Sequence, residues 1–186
     1  IDFYHRDNLG ICYSKLSKRN IWSNPVSIYK DAYESFNAYM DEEDQVHILL
    51  QDLQGNLHYT RPEGISTKTV HILSSKNPIA YNKFLQVFST KDTIHFLYIL
   101  RQEKSPILAH QTYIPGKVSK PKVVDYVYDN VCPTACVSDL ENNIYAFYQS
   151  SDGKHLQMGY KKYSSNNQRW SEFIPVTHYL GDCEFP

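Results

Sequence analysis

The sequence predicts an all-β chain, a β-propeller of four-stranded blades. A repeat of roughly fifty residues is the first reason: FNAYMDEEDQVHILLQDLQGNLHYTR, FLQVFSTKDTIHFLYILRQEKSPILAHQTY and TACVSDLENNIYAFYQSSDGKHLQMGYKKY fall into register, and a period of this length made of short strands indicates a propeller. The second is local. Short apolar runs alternate with turns bearing Gly, Asp and Asn, such as DLQGN and SSDGK, and these residues supply the positive φ that tight hairpins need. The third is the placing of proline. Pro25, Pro78, Pro121 and Pro175 recur near the end of each repeat; proline donates no backbone hydrogen bond and belongs on an edge strand.

Each repeat reads as four strands in order. The first is short and apolar: 36–40, 84–88 and 134–138. A polar turn (DEEDQ, TKDT, DLENN) leads to the second strand at 45–51, 93–100 and 143–149. The third strand is expected at 56–61, 107–113 and 156–163, with Tyr13, Tyr59 and Tyr160 aligned and Gln111 in the same place. The fourth is expected at 22–29, 76–81, 119–126 and 170–179, where Trp22 and Trp170 match. No segment has convincing helical amphipathicity. Residues 1–186 read as a single propeller domain with blades at about 1–34, 35–82, 83–132 and 133–186.

The same register sets the ends. Ile1 aligns with about Tyr145, inside a second strand, so the first blade is expected to lack its inner strand. GDCEFP aligns with DNVCPT, where a further inner strand would begin. A half or partial propeller of about four blades follows. An unpaired strand edge is an aggregation hazard. The chain is therefore expected either to continue in a longer propeller or to form a homo-oligomer, such as two copies closing an eight-bladed ring.

Composition removes several functional classes. The 186 residues carry a formal net charge of −1, so no basic excess points to nucleic acid. The apolar runs are too short for a transmembrane helix, and IDFYHRDN has no signal-peptide pattern. Cys12, Cys132, Cys136 and Cys183 form no CxxC pair and the histidines are scattered, so neither a metal site nor a cofactor is expected. The cysteines read as small buried residues. GxSxG, HExxH, P-loop and GxGxxG motifs are absent. The carboxylates of DEED and DLEN lie in turns, which suits hairpin shaping better than glycoside hydrolysis.

Aromatic residues make up 14% of the chain, with 16 tyrosines. Strand packing accounts for most of them. The loops that join one blade's outer strand to the next inner strand are distinctive, however: IYKDAYES, IAYNK, DYVYDNVC and THYLGDCEF. They interleave rings with hydrogen-bonding side chains. Tyr29, Asp31, Tyr33, Tyr81, Asn82, Tyr126, Asp129, Tyr179 and Asp182 are the candidate ligand-binding residues. Rings can stack on the apolar face of a sugar while Asp and Asn engage its hydroxyls. His47, His95 and Tyr145 hold one repeat-equivalent position on the second strands and read as a repeated polar packing contact.

The strand order, the WSNP and WSEFIP segments and the QDLQGNLHY hairpin resemble the repeats of sialidase-like and lectin-like β-propellers. The resemblance covers nearly the whole chain at the level of repeat architecture, and implies a propeller fold and glycan recognition. The sialidase Asp-box, S/T-x-D-x-G-x-x-W, is absent; SSDGKHLQ echoes it only loosely, in a different hairpin. Arg6, Arg19, Arg61, Arg101 and Arg169 do not occupy repeat-equivalent inner positions, which argues against sialidase activity. The expected function is a non-enzymatic module that binds carbohydrate or another polar surface ligand. A protein-interaction or structural scaffold is the alternative, and a glycoside-active enzyme fragment the third reading.

Overall fold

The computed structural model describes residues 1–63, 66–76, 84–101, 106–127 and 135–183. Among these the chain is all-β, with four antiparallel sheets that follow one another in sequence. The first sheet holds β1 (Asp2–Arg6), β2 (Gly10–Ser14) and β3 (Val26–Tyr29), in that order. The second holds β4 (Ala32–Met40), β5 (Val46–Asp52), β6 (Leu57–Glu63) and β7 (Ser66–Leu73). The third runs from β8 (Leu85–Thr90) through β9 (Thr93–Arg101) to β10 (Pro106–Ile114). There β10 pairs with both β11 (Lys117–Val118) and β12 (Lys122–Tyr126). The fourth runs from β13 (Ala135–Ser138) through β14 (Ile144–Ser151) to β15 (Leu156–Ser164). There β15 pairs with β16 (Arg169–Trp170) and β17 (Ile174–Pro175). No helix among the described residues is long and apolar enough to cross a membrane.

The hairpins form for a reason legible in each turn. Asp41 Oδ1 accepts the amides of Glu43 and Gln45, at 2.9 and 2.8 Å. Asp139 Oδ1 accepts those of Glu141 and Asn143, both at 2.9 Å. Two residues before each second strand the backbone turns into the left-handed region, with φ of 58° at Asp44 and 62° at Asn142, which Asp and Asn tolerate well. Asp52 repeats the device at the next hairpin, accepting from Gln54 and Asn56. The acidic turns are thus built from their own carboxylates, as the turn reading expects.

Two elements differ from the sequence-based reading. The second sheet's fourth strand is β7, Ser66–Leu73, not 76–81. Most of 76–81 lies outside the described residues. The run STKTVHIL is rich in β-branched residues and takes the strand, and the expectation had followed Pro78 instead. The third strands also pair differently. Ile48, Phe96 and Ala146 face Thr60, Gln111 and Lys161. The residue equivalent to Tyr59 and Tyr160 is therefore His110, not Gln111. The longer RQEKSP connection shifted the apparent alignment by one residue, and in a strand one residue changes the face. Trp22 and Trp170 do match: Leu16 bridges Trp22 as Tyr163 pairs with Trp170. Of the cysteines, Cys12 is buried while Cys136 and Cys183 are half-buried thiols. Cys132 lies outside the described residues.

The chain divides into two compact units, Ile1–Phe88 and Ser89–Pro186. In the first unit, Ile11, Ala32, Ile48 and Leu50 form a core joined by Phe3, Ile28, Tyr29, Phe36 and Val46. Gly10 sits where β1 turns into β2, with φ of 69°; a Cβ there would meet Tyr29 O at 2.1 Å. In the second unit Phe96, Tyr98, Leu108, Ile144 and Tyr148 are buried to 1% exposure or less. Complete burial of a side chain of this size contributes about 1.5–3 kcal/mol.

Candidate functional site

The strongest constellation grows from the repeat position of His47, His95 and Tyr145. Each ring stands on a second strand. Each bonds back to the turn before it and lies beside a ring on the third strand. In the second sheet His47 Nε2 meets Asp41 Oδ2 at 2.8 Å and His47 Nδ1 meets Tyr59 Oη at 2.8 Å. In the fourth, Tyr145 Oη donates to Asp139 Oδ2 at 3.1 Å and its ring lies 5.8 Å from that of Tyr160. In the third, His95 Nε2 meets Thr90 Oγ1 at 2.7 Å and His95 Nδ1 meets His110 Nε2 at 3.0 Å.

The third-sheet version is as enclosed as the His47–Tyr59 pair of the second sheet. His95 and His110 are 3% and 2% exposed. Their rings stack 5.3 Å apart at 5°, and Tyr163 presents its ring edge-on to both. Trp170 Nε1 donates to His110 Nδ1 at 3.3 Å. Burial disfavours the charged imidazolium, and it holds His95 down at about 4. At His110 burial, then His95 and Lys122, take the value to about 3. Both rings are therefore neutral at pH 7, and a neutral imidazole has one donor and one acceptor.

Beside this pair the second unit has a cavity of about 330 Å³. Its walls are polar. Thr90, Thr93, Thr112, Ser119 and Ser165 contribute hydroxyl-bearing side chains. Asn142 and Gln168 contribute amides, Lys117 and Lys122 ammonium groups, and His95, His110 and Tyr163 rings. The serines are already engaged: Ser119 Oγ accepts the Thr112 amide and Ser165 Oγ donates to Glu141 O. Such a mixture can hold a polar molecule through several hydrogen bonds against an aromatic wall.

The loop residues singled out in the sequence are placed as follows. Tyr29 is half-buried, its ring 5.3 Å from His58, and burial, then Asp52 and Asp31, push its hydroxyl pKa up. His58 Nε2 in turn meets Asp52 Oδ2 at 2.8 Å. Burial opposes ionisation of Asp52, but Asn56 and His58 hydrogen bonds hold its carboxyl below the ordinary range. Tyr33 Oη donates to Leu53 O at 3.4 Å and Asp31 O accepts the Leu53 amide at 3.0 Å. These three therefore gather at the Asp52–Asn56 hairpin within the first unit, where they fasten the chain. Tyr179 and Asp182 gather around the start of β15. The Tyr179 backbone exchanges two bonds with Gln157, and Asp182 Oδ1 accepts the Leu156 amide at 2.7 Å. The rings of Tyr126 and Tyr179 stand 64% and 65% exposed. Tyr81, Asn82 and Asp129 lie outside the described residues.

No protein-family model matches the chain, and no curated protein matches it significantly. Among the described residues no three His, Cys, Asp or Glu side chains converge as metal ligands would. The residues that sequence reasoning missed are Thr90, His110 and Thr112. The recurrence of His95 with His47 was the available signal, but their third-strand partners became visible only with the pairing register.

Proposed function

We propose that the four sheets are blades of a partial β-propeller, and that the chain is a binding module for a polar, carbohydrate-like ligand. One observation carries the proposal: the hydroxyl- and amide-lined cavity of the second unit, walled by Tyr163 and two neutral imidazoles. Several polyol hydroxyls could bond there at once, and a ring could lie on Tyr163. Exposed Tyr126 and Tyr179 offer further stacking surfaces in the same unit. The architecture-level resemblance to sialidase-like and lectin-like repeats agrees with this reading, although fold alone does not assign function.

The test is a titration of the isotope-labelled protein with a panel of mono- and oligosaccharides, read by backbone amide shifts. Shifts at Thr90, Thr112, Asn142 and Ser165 are expected with at least one sugar. Thr112→Val, Tyr126→Ala and Tyr179→Ala separate the cavity from the exposed rings. A panel that moves none of these amides would sink the reading. A protein-interaction scaffold is the second reading. It draws on exposed Leu16, Ile21 and Trp22 in the β2–β3 connection and Val26 of β3, and binding that Trp22→Ala abolishes would favour it.

A further inference from the structure

The hydrogen bonds around His95 and His110 have a direction. The Trp170 indole can only donate, so His110 Nδ1 must accept. Neutral His110 then carries its proton on Nε2 and donates it to His95 Nδ1. His95 in turn carries its proton on Nε2 and donates to Thr90 Oγ1. The Thr90 hydroxyl therefore keeps its own hydrogen for another acceptor. No described residue takes it, and Thr90 lines the cavity. A chain of aligned hydrogen bonds polarises its members, which strengthens the terminal donor.

The charge of the lining points the same way. Lys117 and Lys122 both border the cavity, and among the described residues no Asp or Glu does. Among the described residues neither lysine is in an ion pair. The site thus joins two cations, an outward hydroxyl donor and the donor-capable side chains of Thr93 and Thr112. Among the described residues nothing ionised and acceptor-only is set with them.

From this juxtaposition we infer that the ligand of the cavity bears an anionic group, a phosphate or a carboxylate on a polyhydroxylated body. Lys117, Lys122 and the Thr90 hydroxyl receive that group. The inference rests on the cavity being the ligand site and adds the ligand's charge.

Calorimetric and amide-shift titrations with four probes test it: glucose, glucose 6-phosphate, glucuronate and inorganic phosphate. At least one anionic sugar should bind about tenfold or more tightly than glucose, as charge-assisted bonds are stronger than neutral ones. The phosphate and carboxylate arms tell the two sources apart. The double variant Lys117→Met/Lys122→Met changes only exposed side chains and should abolish that preference. Thr90→Val should weaken the anionic sugar several-fold, with the amide spectrum otherwise retained. Equal binding of glucose and the anionic sugars would overturn the inference while leaving the binding reading intact. So would an anion preference that survives loss of both lysines. If no probe moves a cavity amide, the inference falls, and the panel of neutral sugars decides whether the binding reading falls with it.

Discussion

The second and third sheets place an imidazole at the same repeat position and finish its hydrogen bonding differently. His47 ends on a carboxylate, Asp41 Oδ2, and its other nitrogen meets the Tyr59 hydroxyl. An ionised carboxylate only accepts, so the His47 Nε2 proton points to Asp41. This chain ends on a group with no proton to pass on. His95 ends on a hydroxyl, Thr90 Oγ1, and its other nitrogen meets a second imidazole that Trp170 orients. A hydroxyl that accepts still has a proton to give. In the second sheet the contact ends on a carboxylate six residues before the imidazole; in the third a turn one residue shorter ends it on a hydroxyl five residues before, which leaves a donor over at the edge of a cavity.

The comparison breaks most visibly with acid. Unfolded imidazoles take up protons from about pH 6.5 downward, whereas His95 and His110 resist until about 4 and 3. The unfolded chain thus binds more protons throughout that window. Their contribution is full above pH 6.5 and is lost as pH falls toward those values. Each site steepens the loss by up to about 1.4 kcal/mol per pH unit. Lys117, Lys122 and Tyr163 share the surroundings of the pair, and the positive charge of Lys122 pushes His110 in the same direction. In a Trp22→Phe background, Trp170 fluorescence reports the second unit during urea unfolding. The midpoint should drop steeply from pH 6.5 to 4, and His95→Phe/His110→Phe should flatten that drop. An equally steep drop in the double variant would remove the histidines from the explanation.

At neutral pH the substitutions rank by how many partners they strand. His110→Phe removes both the acceptor of the Trp170 indole and the donor to His95 Nδ1, and should cost about 3 kcal/mol. Asp41→Ala removes the acceptor of the Glu43 and Gln45 amides and of His47, and should cost about 2 kcal/mol in urea unfolding followed by circular dichroism. Thr90→Val removes one acceptor and should cost only about 1 kcal/mol. If Thr90→Val proved more damaging than Asp41→Ala, the contrast between an open and a closed contact would have to be abandoned.

Most strands were legible because their turns are chemically explicit. DEEDQ and DLENN each begin with an Asp whose carboxylate organises the hairpin, and the apolar runs between them have little alternative to strand. β7 was missed because Pro78 drew the expected edge strand too far along the chain, while the β-branched run before it is the better strand former. The slip from His110 to Gln111 came from a connection of different length, which no local pattern corrects. The candidate site was less legible for a physical reason. His110 meets Trp170 across sixty residues, and a cavity is a property of surfaces that strands bring together. The tyrosines that stood out in the loops were conspicuous by composition. Tyr29 and Tyr33 make contacts at the Asp52–Asn56 hairpin, and composition cannot separate such contacts from ligand stacking.

The direction of the third-sheet hydrogen-bond chain is the central claim, and imidazole nitrogen NMR measures it directly. Long-range nitrogen–proton correlation at pH 7 should show His110 and His95 both neutral, each with its proton on Nε2 and a bare Nδ1. Thr90→Val should change the His95 Nε2 signal and leave the His110 tautomer as it was. A proton on Nδ1 of His110, or a charged imidazolium at either residue, would contradict the account.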